Sequence, residues 1–197
     1  MKSLKIIVIL IFGFIIMLNS CEFGNKLTGE YYLTDEMKDA LPYQGGEKVF
    51  YQLQDGSQTM LEARERYNKV EDIPEGMNTN EYYILEREYM WIDNDSISIY
   101  YRLYGTYYHL PLFMIDFTYK NVNLFKYALP LKKNSSEHLD SLYVIDRWIK
   151  DIYIQKDSYH IEGQPTGQTI IYYSEQYGIV KLERPDGLIM ELERIEW

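Results

Sequence analysis

Three features of this 197-residue chain predict an all-β fold, a single antiparallel domain behind an N-terminal signal segment. Apolar and polar residues alternate over short runs, the period of a half-buried strand. Turn signals punctuate those runs, among them Asp55-Gly56, Asp93-Asn94-Asp95 and Arg184-Pro185-Asp186-Gly187. Tyr occurs 21 times against 7 Phe and 3 Trp, and Tyr favours strands and surfaces that are apolar on one side and wet on the other. About ten strands are expected, as a sandwich or as a curved half-barrel sheet. The expected organisation is signal over 1–20, tether over 21–26 and β domain over 27–197.

The N-terminus comes first. Lys2 and Lys5 form a short basic head, Leu4 to Leu18 is almost unbroken Ile, Val, Leu and Phe, and small Ser20 precedes Cys21, the sole cysteine. The apolar run is shorter than the ~20 residues of a spanning helix, so it reads as a cleaved export signal. Leu18, Asn19, Ser20 and Cys21 together resemble the lipobox of bacterial lipoproteins, with Asn19 where Ala, Ser or Thr is commoner. The resemblance implies cleavage before Cys21, diacylglycerol on its thiol and an acylated (palmitate-type) new N-terminus. Two or more acyl chains hold a protein firmly to a bilayer, where one binds marginally. The expected location is therefore the cell envelope, at the outer membrane in preference to the inner.

Downstream, Leu27 to Leu33 reads as a strand, and Thr34 to Leu41 as a turn or two of helix before Pro42, capped by Thr34 or Asp35. Lys48 to Tyr67 is a hairpin around Asp55-Gly56, with Val49, Tyr51 and Leu53 alternating and Thr59, Leu61 and Ala63 on the return. Asn68 to Asn80, polar with Pro74 and Gly76, reads as a loop. Glu81 to Tyr104 is a second hairpin: Tyr83, Leu85, Tyr89 and Trp91 share one face, and Ile97, Ile99, Tyr101 and Leu103 form the returning apolar face. Gly105 to Phe117 reads as a short strand or edge segment interrupted by Pro111. Thr118 to Leu131 fits no single pattern. A loop is expected over Asn134 to Glu137, then strands over Leu142 to Ile145 and Trp148 to Lys156. Thr169 to Ser174, Gly178 to Glu183 and Leu188 to Ile195 form a closing meander with Leu188, Met190 and Leu192 toward the core.

Composition narrows the chemistry. Thirty acids face 20 bases, a net charge of −10, and loss of Lys2 and Lys5 with the signal makes it two charges more negative. Such a chain has no electrostatic grip on nucleic acid or anionic head-groups. With Cys21 lipidated no thiol remains for a disulfide or for catalysis. His109, His138 and His160 have no ligand-spaced partners. Asp93-Asn94-Asp95 lacks the later ligands of an EF-hand loop, since Ile97 and Ser98 stand at its fifth and sixth positions, and it reads as a turn. No nucleophile elbow, phosphate-cradling glycine loop or H-E-x-x-H motif occurs, and no pair among the acids is singled out. No catalytic, cofactor-binding or metal-binding residue is assigned, and no cofactor is expected.

Tyr-Tyr pairs at 31–32, 82–83, 100–101, 107–108 and 172–173 put one ring on each face of a strand. Their inner rings suit the core, and their outer rings suit a surface that stacks sugars or meets a partner. Asp95-Ser96-Ile97 and Asp140-Ser141-Leu142 resemble the Asp-Ser/Thr-aliphatic acceptor of Bacteroidota envelope O-glycosylation. The stretch Gly167 to Glu183 is similar to the closing meander of Bacteroidota lipoproteins, a resemblance that carries no catalytic residues. The function expected first is a non-enzymatic envelope module, membrane-held through Cys21, presenting an acidic, tyrosine-rich β surface to an envelope protein or glycan. A carrier cupping a lipid or apolar ligand would show a large apolar cavity. A hydrolase would show convergent acids or a His–acid pair.

Overall fold

The computed structural model describes residues 25–77, 80–105, 112–119, 122–130, 137–157 and 167–197. The signal segment with Leu18, Asn19, Ser20 and Cys21 lies outside the described residues, as do His109, His160 and Tyr107-Tyr108. The described chain is all-β apart from one short helix. Its elements are β1 (Lys26–Tyr31), α1 (Asp35–Lys38), β2 (Lys48–Leu53), β3 (Gln58–Ala63), β4 (Tyr67–Pro74), β5 (Glu81–Asp93) and β6 (Ile97–Tyr104). There follow β7 (Leu112–Tyr119), β8 (Val122–Pro130), β9 (Glu137–Val144), β10 (Arg147–Asp157), β11 (Thr169–Ser174), β12 (Gly178–Glu183) and β13 (Ile189–Glu196).

The chain divides into two compact units. The smaller comprises residues up to Glu30 with Asp72–Ile84, and the larger comprises Tyr31–Glu71 and Leu85–Trp197. Within the smaller, the Lys26 ammonium pairs with Glu81 at 2.9 Å, the Lys26 N–H donates to the Asn80 carbonyl at 2.7 Å, and Thr28 Oγ1 donates to the Tyr82 carbonyl at 2.9 Å.

In the larger unit the strands follow the order β8-β7-β6-β5-β3-β2-β13-β12-β11-β10-β9, an open path, with β4 also pairing with β5. Most neighbours on this path are hairpin partners, made by local turn chemistry. Between β2 and β3, Asp55 Oδ1 accepts the Ser57 N–H at 2.9 Å while Gly56 takes φ 78°. Between β5 and β6, Asn94 Oδ1 accepts the N–H groups of Ser96 and Ile97 at 2.9 and 2.8 Å. Gly187 takes φ 90° in the Arg184–Gly187 turn. Two pairs of neighbours are not: β3 pairs with β5 past the intervening β4, with Ala63 opposite Ile92, and β13 slots antiparallel against β2, with Ile195 opposite Val49 and Leu192 opposite Tyr51. The pairing of β13 with β2 joins the two ends of the domain sequence.

Two expectations change. Tyr67–Pro74 is strand β4 where a loop was expected over Asn68 to Asn80. Its first half, Tyr67 to Val70, is exposed on both faces, so no apolar alternation marks that stretch in the sequence. The described strands number thirteen against about ten expected, with β4 and β8 added, and β9 and β10 are longer than expected because each starts earlier. The closing meander, the α1 cap by Thr34 and the inward face Ile97, Ile99, Tyr101 and Leu103 stand as expected.

Rings fill the core of the larger unit. Tyr43, Tyr51, Tyr101, Tyr173, Phe113 and Phe117 are all essentially inaccessible. Tyr101 lies 6.1 Å from Tyr43 and 6.0 Å from Phe113, centroid to centroid, and Phe113 meets Tyr173 edge-on at 5.1 Å. A phenol can be buried cheaply only when its hydroxyl finds a partner. Tyr43 donates to the Tyr177 carbonyl at 2.6 Å, Tyr51 to the Ile179 carbonyl at 2.9 Å, and Tyr173 to the Ala40 carbonyl. The Tyr101 hydroxyl sits beside Tyr43 and the Ile179 backbone without a hydrogen bond of full geometry. Burial pushes all four phenols well above their ordinary range.

Tyr43 and Leu41 reach this core from a strap over residues 34–47. Arg66 pins the strap, donating to the carbonyls of Tyr43 (2.6 Å), Lys38 (3.2 Å) and Leu41 and to Glu88 at 2.8 Å. Glu86, buried on the same side of β5, accepts from the Leu33 N–H at 2.8 Å, Asn68 at 2.7 Å and Lys38 at 2.8 Å.

Candidate functional site

The face of β4–β7 turned away from the core carries a continuous aromatic stack. Antiparallel register sets Trp91 opposite Tyr100, Tyr89 opposite Arg102 and Arg87 opposite Tyr104. Their neighbours Met90, Ile92, Ile99, Tyr101 and Leu103 point the other way and are buried, so strand alternation forces this set outward. Trp91 and Tyr100 stack with centroids 4.2 Å apart and planes 12° apart. Tyr89 follows Tyr100 at 6.0 Å and 17°, and Tyr67 of β4 follows Tyr89 at 6.2 Å and 22°. The stack runs across three strands, from half-buried Trp91 to Tyr67, which is 53% exposed.

Cations frame it. The Arg102 guanidinium lies 5.1 Å from the Tyr100 centroid, pairs with Asp116 of β7 and donates to the Tyr104 hydroxyl at 3.2 Å. Arg87 lies 5.5 Å from the Tyr104 centroid and pairs with Glu71 at 3.0 Å; Lys69 also pairs with Glu71. Burial raises the Tyr100 phenol to about 12, against the opposing pull of nearby Arg102. The arginines are thus held by carboxylates before any partner arrives, which lowers the desolvation cost of covering them.

Only Trp91 and Tyr100, 4.2 Å apart, are close enough to cover one another's flat faces; Tyr89 and Tyr67 follow at 6.0 and 6.2 Å, near-parallel but too far for full overlap, and Tyr67 ends the row exposed. Ring edges carry the positive part of the quadrupole, and phenols donate and accept. This combination of rigid rings and adaptable hydroxyls is what tyrosine-rich protein-binding surfaces use.

The Tyr-Tyr pattern led to part of this surface: Tyr100 lies in the stack, and its partner Tyr101 lies in the core. Tyr172 and Tyr173 divide the same way, with Tyr173 buried. Arg87 and Arg102 were not singled out, although Arg87-x-Tyr89-x-Trp91 and Tyr100-x-Arg102-x-Tyr104 carry the signal, cations and rings at the strand period of two. Tyr89 and Trp91 do share a face, but it is the outer one, and the inward residues of β5 include Glu86 and Glu88.

The remaining candidates are dispersed. His138 of β9 lies 3.6 Å from Asp151 and meets Tyr153 edge-on at 5.5 Å, and among the described residues no group of three metal-ligating side chains occurs. Asp93 pairs with Arg64 at 2.6 Å, so that turn is committed to hairpin structure. Glu86 and Glu88 share the inner side of β5, but each is neutralised by a cation, Lys38 and Arg66 respectively. Ser96 is exposed in the β5–β6 turn, whereas Ser141 lies within β9, opposite Lys150. No protein-family model, curated protein or solved structure matches the chain.

Proposed function

We propose that this chain is a lipid-anchored envelope protein whose β domain works by binding rather than by catalysis, through the outer aromatic face of β4–β7. The observation that carries the binding surface is the stack Tyr67·Tyr89·Tyr100·Trp91 with its two pre-paired arginines. Side chains so ordered lose little conformational freedom when a partner covers them, which favours tight recognition. Of the two occupants expected from the sequence, an envelope protein suits this face of ordered rings, hydroxyls and paired arginines, the composition of tyrosine-rich protein-binding surfaces. The carrier reading loses support from the described interior, where Tyr43, Tyr101, Phe113 and Tyr173 are packed against one another.

The anchor and the surface are tested separately. The anchor is tested by the intact mass of membrane-extracted protein beside a Cys21→Ser variant. Cleavage before Cys21 with added diacylglycerol and acyl mass, absent from the variant, is the expected result; an unmodified full-length wild type refutes it. The surface is tested by in-cell photo-crosslinking from position 100 and from exposed position 60 on β3. A defined adduct from position 100 that Trp91→Ala abolishes, with none from position 60, is expected. Equal crosslinking from both positions would remove the assignment of the face.

A further inference from the structure

Strand β4 pairs with β5 on one side, and among the described residues nothing pairs with its other side. Tyr67, Asn68, Lys69 and Val70 are exposed in succession, so both faces of this stretch are open as well. A strand edge of this kind presents a row of backbone donors and acceptors to which another strand can add. We infer that a second copy of this chain docks here, its β4 antiparallel to the first about a two-fold axis through Val70.

The charge pattern selects that occupant. With the axis at Val70, Lys69 of one copy stands directly opposite Glu71 of the other, and symmetry makes the pair twice. A lysine on an edge strand ordinarily keeps the edge unpaired. Here its counter-charge sits two residues along, on the same face, at the spacing a symmetric antiparallel pair requires. Within one copy Lys69 already pairs with Glu71; a second copy related by the axis repeats that pairing across the seam, where a strand without this alternation would not.

The wider electrostatics agree. A chain of net charge −10 repels its own kind over most of its surface. The β4–β7 face is different, with Lys69, Arg87 and Arg102 against Glu71 and Asp116. At the β4 edge the charges on that outer face, Lys69 and Glu71, balance one another, so like-charge repulsion between copies is least along this seam. Val70, 53% exposed, is covered on the axis, and the sheet continues from one copy into the next with both aromatic stacks left open. The inference is independent of what those stacks bind.

The test uses the full chain in detergent, followed by sedimentation velocity across a concentration series, as wild type, Lys69→Glu, Glu71→Lys and an equimolar mixture of the two variants. The wild type is expected to dimerise. Each variant alone sets like charges opposite one another and is expected to dimerise about tenfold more weakly. The mixture is expected to recover wild-type association, because the all-acidic edge of the first variant is complementary to the all-basic edge of the second. No chain in that mixture carries both native charges, so repair within one chain cannot produce the recovery, and association through the apolar N-terminus would be indifferent to the substitutions. In parallel, Val70→Cys is expected to crosslink across the axis on mild oxidation, with Ser96→Cys at the exposed β5–β6 turn as the collision control. A monomeric wild type, a mixture no more associated than its components, or equal crosslinking from positions 70 and 96 overturns the proposal.

Discussion

Replacing Arg66 by Met is expected to release the strap from the core. The Arg66 side chain is only 15% exposed, and its ion partner Glu88 only 5%. Met matches the length of the stem but removes the donors to Glu88 and to the carbonyls of Lys38, Leu41 and Tyr43. Stranding a buried carboxylate costs about 3–5 kcal/mol. Each carbonyl left without its donor adds up to about 1 kcal/mol, less where water can enter. A loss of about 4 kcal/mol is therefore expected, a large part of the ~5–15 kcal/mol that stabilises a typical domain. Glu88→Leu alone should cost about 1–2 kcal/mol, since Arg66 keeps its three carbonyl acceptors. The double variant should cost about 2–3 kcal/mol, well below the sum, because the stranded charge is gone. Urea unfolding followed by both far-ultraviolet circular dichroism and tryptophan fluorescence measures each value and shows whether one transition is present. Costs that add within about 0.5 kcal/mol would refute the account, as they would make the Arg66–Glu88 pair energetically idle.

Three further outcomes are expected. Tyr51→Phe removes the donor to the buried Ile179 carbonyl and should cost about 1–2 kcal/mol, whereas Tyr101→Phe, whose hydroxyl lacks a well-formed bond, should stay within about 0.5 kcal/mol; thermal unfolding of the pair decides it. Gly178→Ala should cost about 2 kcal/mol or more, because φ is 76° and a Cβ would sit 2.9 Å from the Tyr43 ring; a wild-type melting temperature would show that the ring gives way. Burial alone would raise the Glu86 carboxyl, but Lys38, Asn68 and the Leu33 N–H outweigh it and hold the group below its ordinary value. Its contribution is then fully present above the unfolded-state value near ~4.3 and lost as pH falls through the lower folded-state value. Glu86→Gln should accordingly flatten the stability profile below about pH 4.5, and an unchanged acid limb in pH-dependent urea unfolding would contradict this.

The stack was partly legible in the chain and partly not. Tyr100-Tyr101 showed that one ring would face outward, because strand alternation is a property of the backbone. It did not show that Tyr67 would extend the stack. Tyr67 belongs to β4, whose Tyr67–Val70 stretch is exposed on both faces and so leaves no periodic trace. Nor did it show that the inner face of β5 would hold Glu86 and Glu88. Carboxylates look like outward residues until their cations are known, and Lys38 and Arg66 come from more than 20 positions away along the chain.

By itself the sequence determined the all-β class, most of the hairpins and the closing meander over β11–β13. These rest on local causes: period-two alternation and turns in which Gly56 and Gly187 adopt φ that other residues resist. Only the tertiary structure decided which strands without a connecting turn would be neighbours. Pairing of β13 with β2, the docking of Tyr43 beneath Gly178 and the stacking of Tyr67 on Tyr89 join residues that no local pattern links. Each depends on side-chain shape, charge and hydrogen-bond satisfaction across the folded sheet, quantities that exist only once the strands have come together.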